Sequence, residues 1–266
     1  MRVSIIQMTV RADKEENLRR AGALVRRAAA QGADMAVLPE MFCCPYSNRC
    51  FPAYAEEEGG RVWRFLSDLA RETGIWLVGG SMPERDGGQI YNTSYVFDRS
   101  GRQAAKHRKV HLFDVDIRGG QVFRESETLS PGNEITVFDT EFGPVGLCIC
   151  FDFRFQELAK EMADRGARLL VVPAAFNMTT GPVHWELMFR QRAVDNQVFT
   201  LGAAPARDEG AEYVSYGNSI LCDPWGTVLA RAGSGEEILA AEIDFDRVEE
   251  IRRQLPIRSA RRKDLY

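Results

Sequence analysis

The stretch Gln31-Gly32-Ala33-Asp34-Met35-Ala36-Val37-Leu38-Pro39 returns in the second half of the chain as Arg165-Gly166-Ala167-Arg168-Leu169-Leu170-Val171-Val172-Pro173. Each copy reads as a helix end, a Gly-Ala turn, a short apolar run typical of a buried strand, and a proline. A second parallel joins Tyr91-Asn92-Thr93-Ser94-Tyr95-Val96-Phe97-Asp98 to Tyr216-Gly217-Asn218-Ser219-Ile220-Leu221-Cys222-Asp223. Both continue through a glycine, Gly101 or Gly226, into another short strand. Val3 to Met8 matches Val145 to Cys150 more weakly, in the same order. The chain therefore reads as a duplication whose unit is strand, helix, strand, helix, strand, hairpin. Helices are expected near Lys14 to Gln31 and Gly60 to Thr73, then near Arg154 to Arg165 and Trp185 to Gln197. Each half should build one mixed sheet with helices on one face. The bare apolar faces need cover, and packing sheet on sheet supplies it. The expected fold is α/β, a four-layer α-β-β-α sandwich with an internal pseudo-twofold repeat, formed by residues 1–266 as one domain.

Composition narrows the function. The 266 residues are 45% hydrophobic, enough to bury a core and too many for a disordered chain. A net charge of -4 and a pI near 5.6 disfavour a nucleic-acid partner, which needs a basic face. No apolar run approaches the roughly 20 residues that span a bilayer. The chain enters a strand at Val3 without a signal-peptide pattern, so a soluble protein of the cytoplasm is expected. Its six cysteines are expected as free thiols. Cys43, Cys44 and Cys50 match no zinc spacing, and no metal or cofactor is expected. The longest aperiodic stretch, Asp114 to Pro131, is read as a long ordered loop of the kind that carries function.

The chemistry begins at Gly146-Leu147-Cys148-Ile149-Cys150-Phe151-Asp152-Phe153-Arg154. A buried strand over Val145 to Ile149 stops at a cysteine, and strand ends are where open α/β sheets place ligands. Cys148, on the same strand face and one step deeper, is read as a packed core thiol. The usual partner of a nucleophilic cysteine is histidine, and only His107, His111 and His184 are available. Two other segments fit better. Met35-Ala36-Val37-Leu38-Pro39-Glu40 is an apolar strand ending in a carboxylate. Lys106-His107-Arg108-Lys109-Val110-His111-Leu112-Phe113-Asp114 is a basic stretch entering an apolar one. Glutamate, lysine and cysteine at three strand or loop mouths form a base, a cation and a nucleophile without histidine.

These three segments resemble the nitrilase, or carbon–nitrogen hydrolase, superfamily, and the resemblance spans nearly the whole chain. It implies the same four-layer fold and a catalytic triad of Glu40, Lys109 and Cys150. Glu40 would act as base, Cys150 as nucleophile through a thioester, and Lys109 with the Phe151 N–H as oxyanion donors. Glu125, in Phe123-Arg124-Glu125-Ser126, matches a second family glutamate that positions substrate or supports the lysine. Lys106 and Arg108 are read as further charges of a basic run, and His111 and His184 as makers of structural hydrogen bonds. Superfamily members pair through the second half's helices and the C-terminal tail, so a homodimer or higher homo-oligomer is expected, with Leu255-Pro256-Ile257 as an apolar contact.

Ala175-Phe176-Asn177-Met178-Thr179-Thr180-Gly181-Pro182, Pro205-Ala206-Arg207-Asp208 and Asp195-Asn196-Gln197 resemble the omega-amidase branch. That branch implies Arg154, Phe176 and Thr180 as substrate contacts, with Tyr46 beside them. Arginine grips carboxylates through a two-pronged fork. The implied substrates are ω-amides of small dicarboxylates, 2-oxoglutaramate and 2-oxosuccinamate, hydrolysed to the dicarboxylate and ammonia. Other amidases of the superfamily, acting on deaminated glutathione or N-carbamoyl amino acids, are the competing activity. A non-catalytic scaffold of the same fold is the competing class. For Arg154 itself, the competing reading is an ion pair with Asp152 or Glu157.

Overall fold

The computed structural model describes residues 1–265; Tyr266, the last residue of the expected domain, lies outside the described residues. The first half contains β1 (Arg2–Gln7), α1 (Lys14–Ala30), β2 (Met35–Val37), α2 (Phe51–Tyr54), α3 (Arg61–Thr73), β3 (Trp76–Val78), β4 (Met82–Asp86), β5 (Gln89–Phe97), β6 (Gln103–Arg108), β7 (Asp114–Asp116) and β8 (Val122–Arg124). The second contains β9 (Thr136–Thr140), β10 (Gly143–Leu147), α4 (Gln156–Asp164), β11 (Leu169–Pro173), α5 (Gly181–Asn196), β12 (Phe199–Ala203), β13 (Ile220–Cys222), β14 (Val228–Arg231), β15 (Glu237–Glu242) and α6 (Asp246–Gln254).

Local sequence explains the helices. Asp13 caps α1 by accepting the Glu16 N–H, and Leu18, Ala21, Val25 and Ala28 bury one face at helical spacing. The turns in the repeated motif need a left-handed backbone. Gly32 has φ +83° and Gly166 φ +101°, conformations that glycine adopts without a Cβ penalty.

One sheet runs β15-β1-β2-β3-β5-β4, with β6 also on β5; the other runs β14-β13-β12-β11-β10-β9. The sets β1-β2-β3-β5 and β10-β11-β12-β13 are equivalent, three parallel strands followed by an antiparallel one. Their registers match as well. Val3, Met35 and Trp76 align across the first sheet as Val145, Leu169 and Phe199 do across the second. All six side chains enter one apolar layer between the sheets, with Ile5, Val37, Leu147, Val171 and Leu201. The alternate residues turn outward. Ile6, Ala36 and Leu77 pack under α1 and α3, whereas Leu170 and Val172 pack under α4 and α5. Burying each such side chain contributes roughly 1.5–3 kcal/mol, which makes the middle layer a large share of the driving force. The α-β-β-α sandwich is therefore present, layer by layer.

Four expectations need correction. The halves do not each complete their own sheet, because β15 crosses over to pair antiparallel with β1. The strand expected to reach Ile149 stops at Leu147, so Cys148 and Cys150 are not related by strand alternation. The helix expected from Arg154 begins at Gln156, because Cys150–Arg154 forms a 3₁₀ turn. The aperiodic stretch Asp114 to Pro131 contains the β7–β8 hairpin and a 3₁₀ turn at Glu125–Glu127.

Candidate active site

The ends of β2, β6, β10 and β11 meet at one place. Glu40 follows β2, Lys109 follows β6, Cys150 follows β10 and Ala175 follows β11. Parallel strands all present their C-terminal ends on the same edge, which is why residues distant in sequence converge. Two of these turns are strained. Met41 has φ +51° and Cys150 φ +47°, a left-handed backbone costing a non-glycine residue about 1–2 kcal/mol. Such strain is held where the surroundings over-determine it, as at functional turns.

Glu40, Lys109 and Glu125 are fully buried. The Lys109 Nζ lies 3.0 Å from Glu40 Oε1 and 2.9 Å from Glu125 Oε1. The other Glu40 oxygen accepts the Ala175 N–H at 2.8 Å, and Asn92 Nδ2 donates to Oε1 at 2.8 Å. The Tyr46 hydroxyl donates to Glu125 at 2.6 Å and stands 3.3 Å from the Lys109 Nζ. Glu125 also accepts the Phe113 N–H at 2.6 Å, tying the cluster to the start of the β7–β8 hairpin. Buried charges persist only when paired and hydrogen-bonded in this way.

Burial pushes the Glu40 carboxyl up; Lys109 opposes this, Glu125 reinforces it, and the net shift is upward. Burial alone would lower the Lys109 ammonium, but Glu125 and Glu40 outweigh it and hold the proton on. The Cys150 thiol is pushed well up, first by burial and then by the nearby charge of Glu40. The resting site thus holds a neutral thiol beside a carboxylate of raised proton affinity. Transfer of the thiol proton to Glu40 leaves the net charge of the cluster unchanged. Cys150 keeps 5% of its surface exposed. The Phe151 N–H, in the same turn, donates to no protein acceptor among the described residues.

Arg154 lies in this turn. Its guanidinium stacks 4.6 Å from the Phe176 ring centroid and 5.8 Å from that of Phe151. Its NH1 donates to His184 Nδ1 at 3.2 Å. It forms no ion pair among the described residues, so the pairing with Asp152 or Glu157 is not what the structure contains. Burial lowers its proton affinity. Phe176 is buried edge-on against Trp185. Thr180 directly precedes α5, and its hydroxyl donates to Asn177 at 3.3 Å.

The other charges of the basic stretch face elsewhere: Lys106 and Arg108 both bind Glu84. Asn92 and Tyr213 escaped the sequence reading. Tyr213 stacks on Tyr46 at 4.5 Å and donates to the Ala175 carbonyl at 2.6 Å. For Asn92 the available signal was a polar Asn-Thr-Ser run inside a strand, all three of whose residues are buried. Tyr213 sits in a loop with no local signal. A cavity opens beside the cluster, bordered by Glu40, Met41, Tyr46, Ala175, Tyr213 and Ser215.

Residues 2–253 match the carbon–nitrogen hydrolase family. The chain belongs to that family. As a carbon–nitrogen hydrolase it is 53% identical over its full length to omega-amidase NIT2-A of Xenopus laevis, 96% of which is covered. Among solved structures it is similar to Nit3 of Saccharomyces cerevisiae, a member of branch 10 of the nitrilase superfamily. The TM-score is 0.91 at 43% identity, covering 98% of this chain and 96% of that one. It is also similar to a mutant of the amidase from Nesterenkonia sp. AN1 that carries acrylamide, added by Michael addition, on its active-site cysteine. There the TM-score is 0.80 at 28% identity, over 96% of this chain and 98% of that one. Carbon–nitrogen hydrolases cleave carbon–nitrogen bonds with water, and this chain is such an enzyme.

Proposed function

We propose that this hydrolase is an omega-amidase that releases ammonia from the ω-amide of small dicarboxylates, 2-oxoglutaramate and 2-oxosuccinamate. The observation that carries the reading is Arg154, a half-buried guanidinium with no carboxylate partner among the described residues, in the turn that holds Cys150. A buried cation without a counter-ion is costly unless a ligand supplies one. A substrate carboxylate on Arg154 would leave the amide carbon at the other end of a short dicarboxylate free to meet the thiol. The name of the Xenopus relative points the same way.

In this reading Glu40 takes the Cys150 proton as the sulfur attacks the amide carbon. The Lys109 ammonium and the Phe151 N–H receive the oxyanion. Glu40 then gives that proton to the amide nitrogen, which leaves as ammonia; it takes a proton from water as the hydroxide attacks the thioester, and returns it to the departing Cys150 sulfur. Glu125 and Tyr46 hold Lys109 in place, while Phe176 and Thr180 shape the carboxylate end. Glu40 and Lys109 come from the first half and Cys150 from the second, so residues 1–266 act as one domain. Free thiols at all six cysteines fit a reducing compartment, and we assign the chain to the cytoplasm. We also assign a homodimer, supported by the exposed Val183 and Leu187, one turn apart on α5, and by the exposed Leu255.

Ammonia release by purified protein tests the substrate. Turnover of 2-oxoglutaramate should exceed that of deaminated glutathione and of N-carbamoyl amino acids. A preference for either competitor overturns the assignment.

A further inference from the structure

Asp152 has no role in the chemistry above, yet it is the most heavily used carboxylate near the site. It is fully buried. Its Oδ1 accepts the Val110 N–H at 3.1 Å, the His111 N–H at 2.8 Å and His111 Nδ1 at 2.9 Å. Its Oδ2 accepts the Ile149 N–H at 3.1 Å and His107 Nε2 at 3.0 Å. His107 is anchored on its far side by the Thr136 hydroxyl of β9 at 2.9 Å. Burial pushes the Asp152 carboxyl up, but the bonds from His107 and His111 outweigh it and keep the group ionised.

The donors are not scattered. Ile149 directly precedes Cys150, and Val110 directly follows Lys109. One carboxylate therefore grips the backbone on the flank of the nucleophile and on the flank of the buried ammonium. These two segments leave strands of different sheets, so no shared ladder fixes their offset. The strained Cys150 turn, with φ +47°, is itself pinned by the bond to Ile149.

We propose that Asp152 is a positioning residue that sets the separation between the Cys150–Phe151 turn and the Lys109 ammonium, and so the geometry of the oxyanion site. The proposal rests on the roles given above to Cys150, Phe151 and Lys109. It is distinct from the clamp on the substrate carboxylate, because among the described residues the Asp152 side chain makes no hydrogen bond or ion pair with Arg154 and does not border the cavity beside Glu40.

Asp152→Asn tests it. An amide offers one acceptor oxygen and turns an NH₂ toward donors, so half of the grip is lost at constant size. Misplacement of about 1 Å at a reacting centre costs on the order of 10²-fold in rate. The variant should show kcat per titratable Cys150 lower by about that factor, alike for carboxylate-bearing and uncharged amides, with KM little changed. The count is taken on the folded fraction from gel filtration and read at Cys150 by mass spectrometry, because unfolded chains and the more exposed Cys50 also react with iodoacetamide, so loss of folded protein does not enter the ratio. If kcat per labelled thiol equals wild type and only the melting temperature falls, Asp152 is merely structural and the proposal is overturned. Should Asp152→Asn fail to fold, His111→Ala decides, since its ring is part-exposed and its backbone donor remains. A several-fold lower kcat per thiol is expected there, and a wild-type value overturns the proposal. A wild-type protein inert toward every amide would instead sink the amidase reading itself, which separates the two failures.

Discussion

Lys109 stands 3.0 Å from Glu40, both fully buried, so the proposed base and the proposed oxyanion cation form one ion pair. Neither can be altered without changing the proton affinity of the other.

Cys150→Ala should abolish turnover and leave the fold intact, because alanine suits the apolar cluster around the turn. Cys148→Ala should keep most activity. Mass spectrometry of acid-quenched wild type should find the acyl group on Cys150. An adduct on any other cysteine defeats the assignment.

The pH profile carries the sign of the coupling. Glu40 must be ionised to take the thiol proton, so kcat/KM should fall as pH drops through its raised value. Glu125 contributes to raising it, so Glu125→Gln should move the acid limb to lower pH. Lys109 lowers it, so Lys109→Met should move the limb to higher pH. Both should also slow turnover, Lys109→Met by about 10²-fold or more. Limbs that move in the reverse order would show that Glu40 is not the titrating group.

Arg154→Met should raise KM for 2-oxoglutaramate by roughly 10- to 150-fold, the worth of one charge-assisted contact. An uncharged amide of similar size should be little affected. Arg154→Lys should rescue only in part, because an ammonium lacks the planar fork. Equal losses on charged and neutral amides, with a lower melting temperature, would mean the guanidinium only supports its loop.

Glu84 offers a stability test away from the site. Burial pushes it up, but hydrogen bonds from Arg108, Lys106 and Thr93 prevail and hold it to about 2 against an ordinary 4.5. A depressed carboxyl stabilises the fold above its unfolded value and loses that contribution as pH falls through the folded one. Glu84→Gln should therefore melt below wild type at neutral pH. The gap should close between about pH 4.5 and 2. A gap independent of pH would assign the effect to packing.

Assembly is open to one substitution. Leu187 is 61% exposed on α5, in line with Val183. Leu187→Asp should shift sedimentation from dimer to monomer at micromolar concentration, and truncation after Gln254 should weaken pairing. A wild type that sediments as a monomer removes the proposal.

The duplication was legible because each copy carries its own punctuation, a left-handed glycine and an apolar strand ended by proline. Glu40, Lys109 and Cys150 were legible because each sits where an element stops. The strand swap of β15 was not, since Glu237-Ile238-Leu239-Ala240-Ala241-Glu242 shows no alternation that names a partner. Nor was the position of Tyr213, whose contacts with Tyr46 and Ala175 exist only after the halves meet. The 3₁₀ turn at Cys150 was also hidden, because local preference favours neither a positive φ at cysteine nor a break after Leu147.

The pairing of β15 with β1 also orders events in time. The strand that closes β1's outer edge is synthesised only after every other strand of both sheets. Until residue 242 leaves the ribosome, Arg2 to Gln7 presents an unpaired apolar edge to every neighbouring nascent chain. The first half therefore cannot mature ahead of the second, and a stalled or nicked product ending before β15 should be a substrate for chaperones rather than a stable half-molecule.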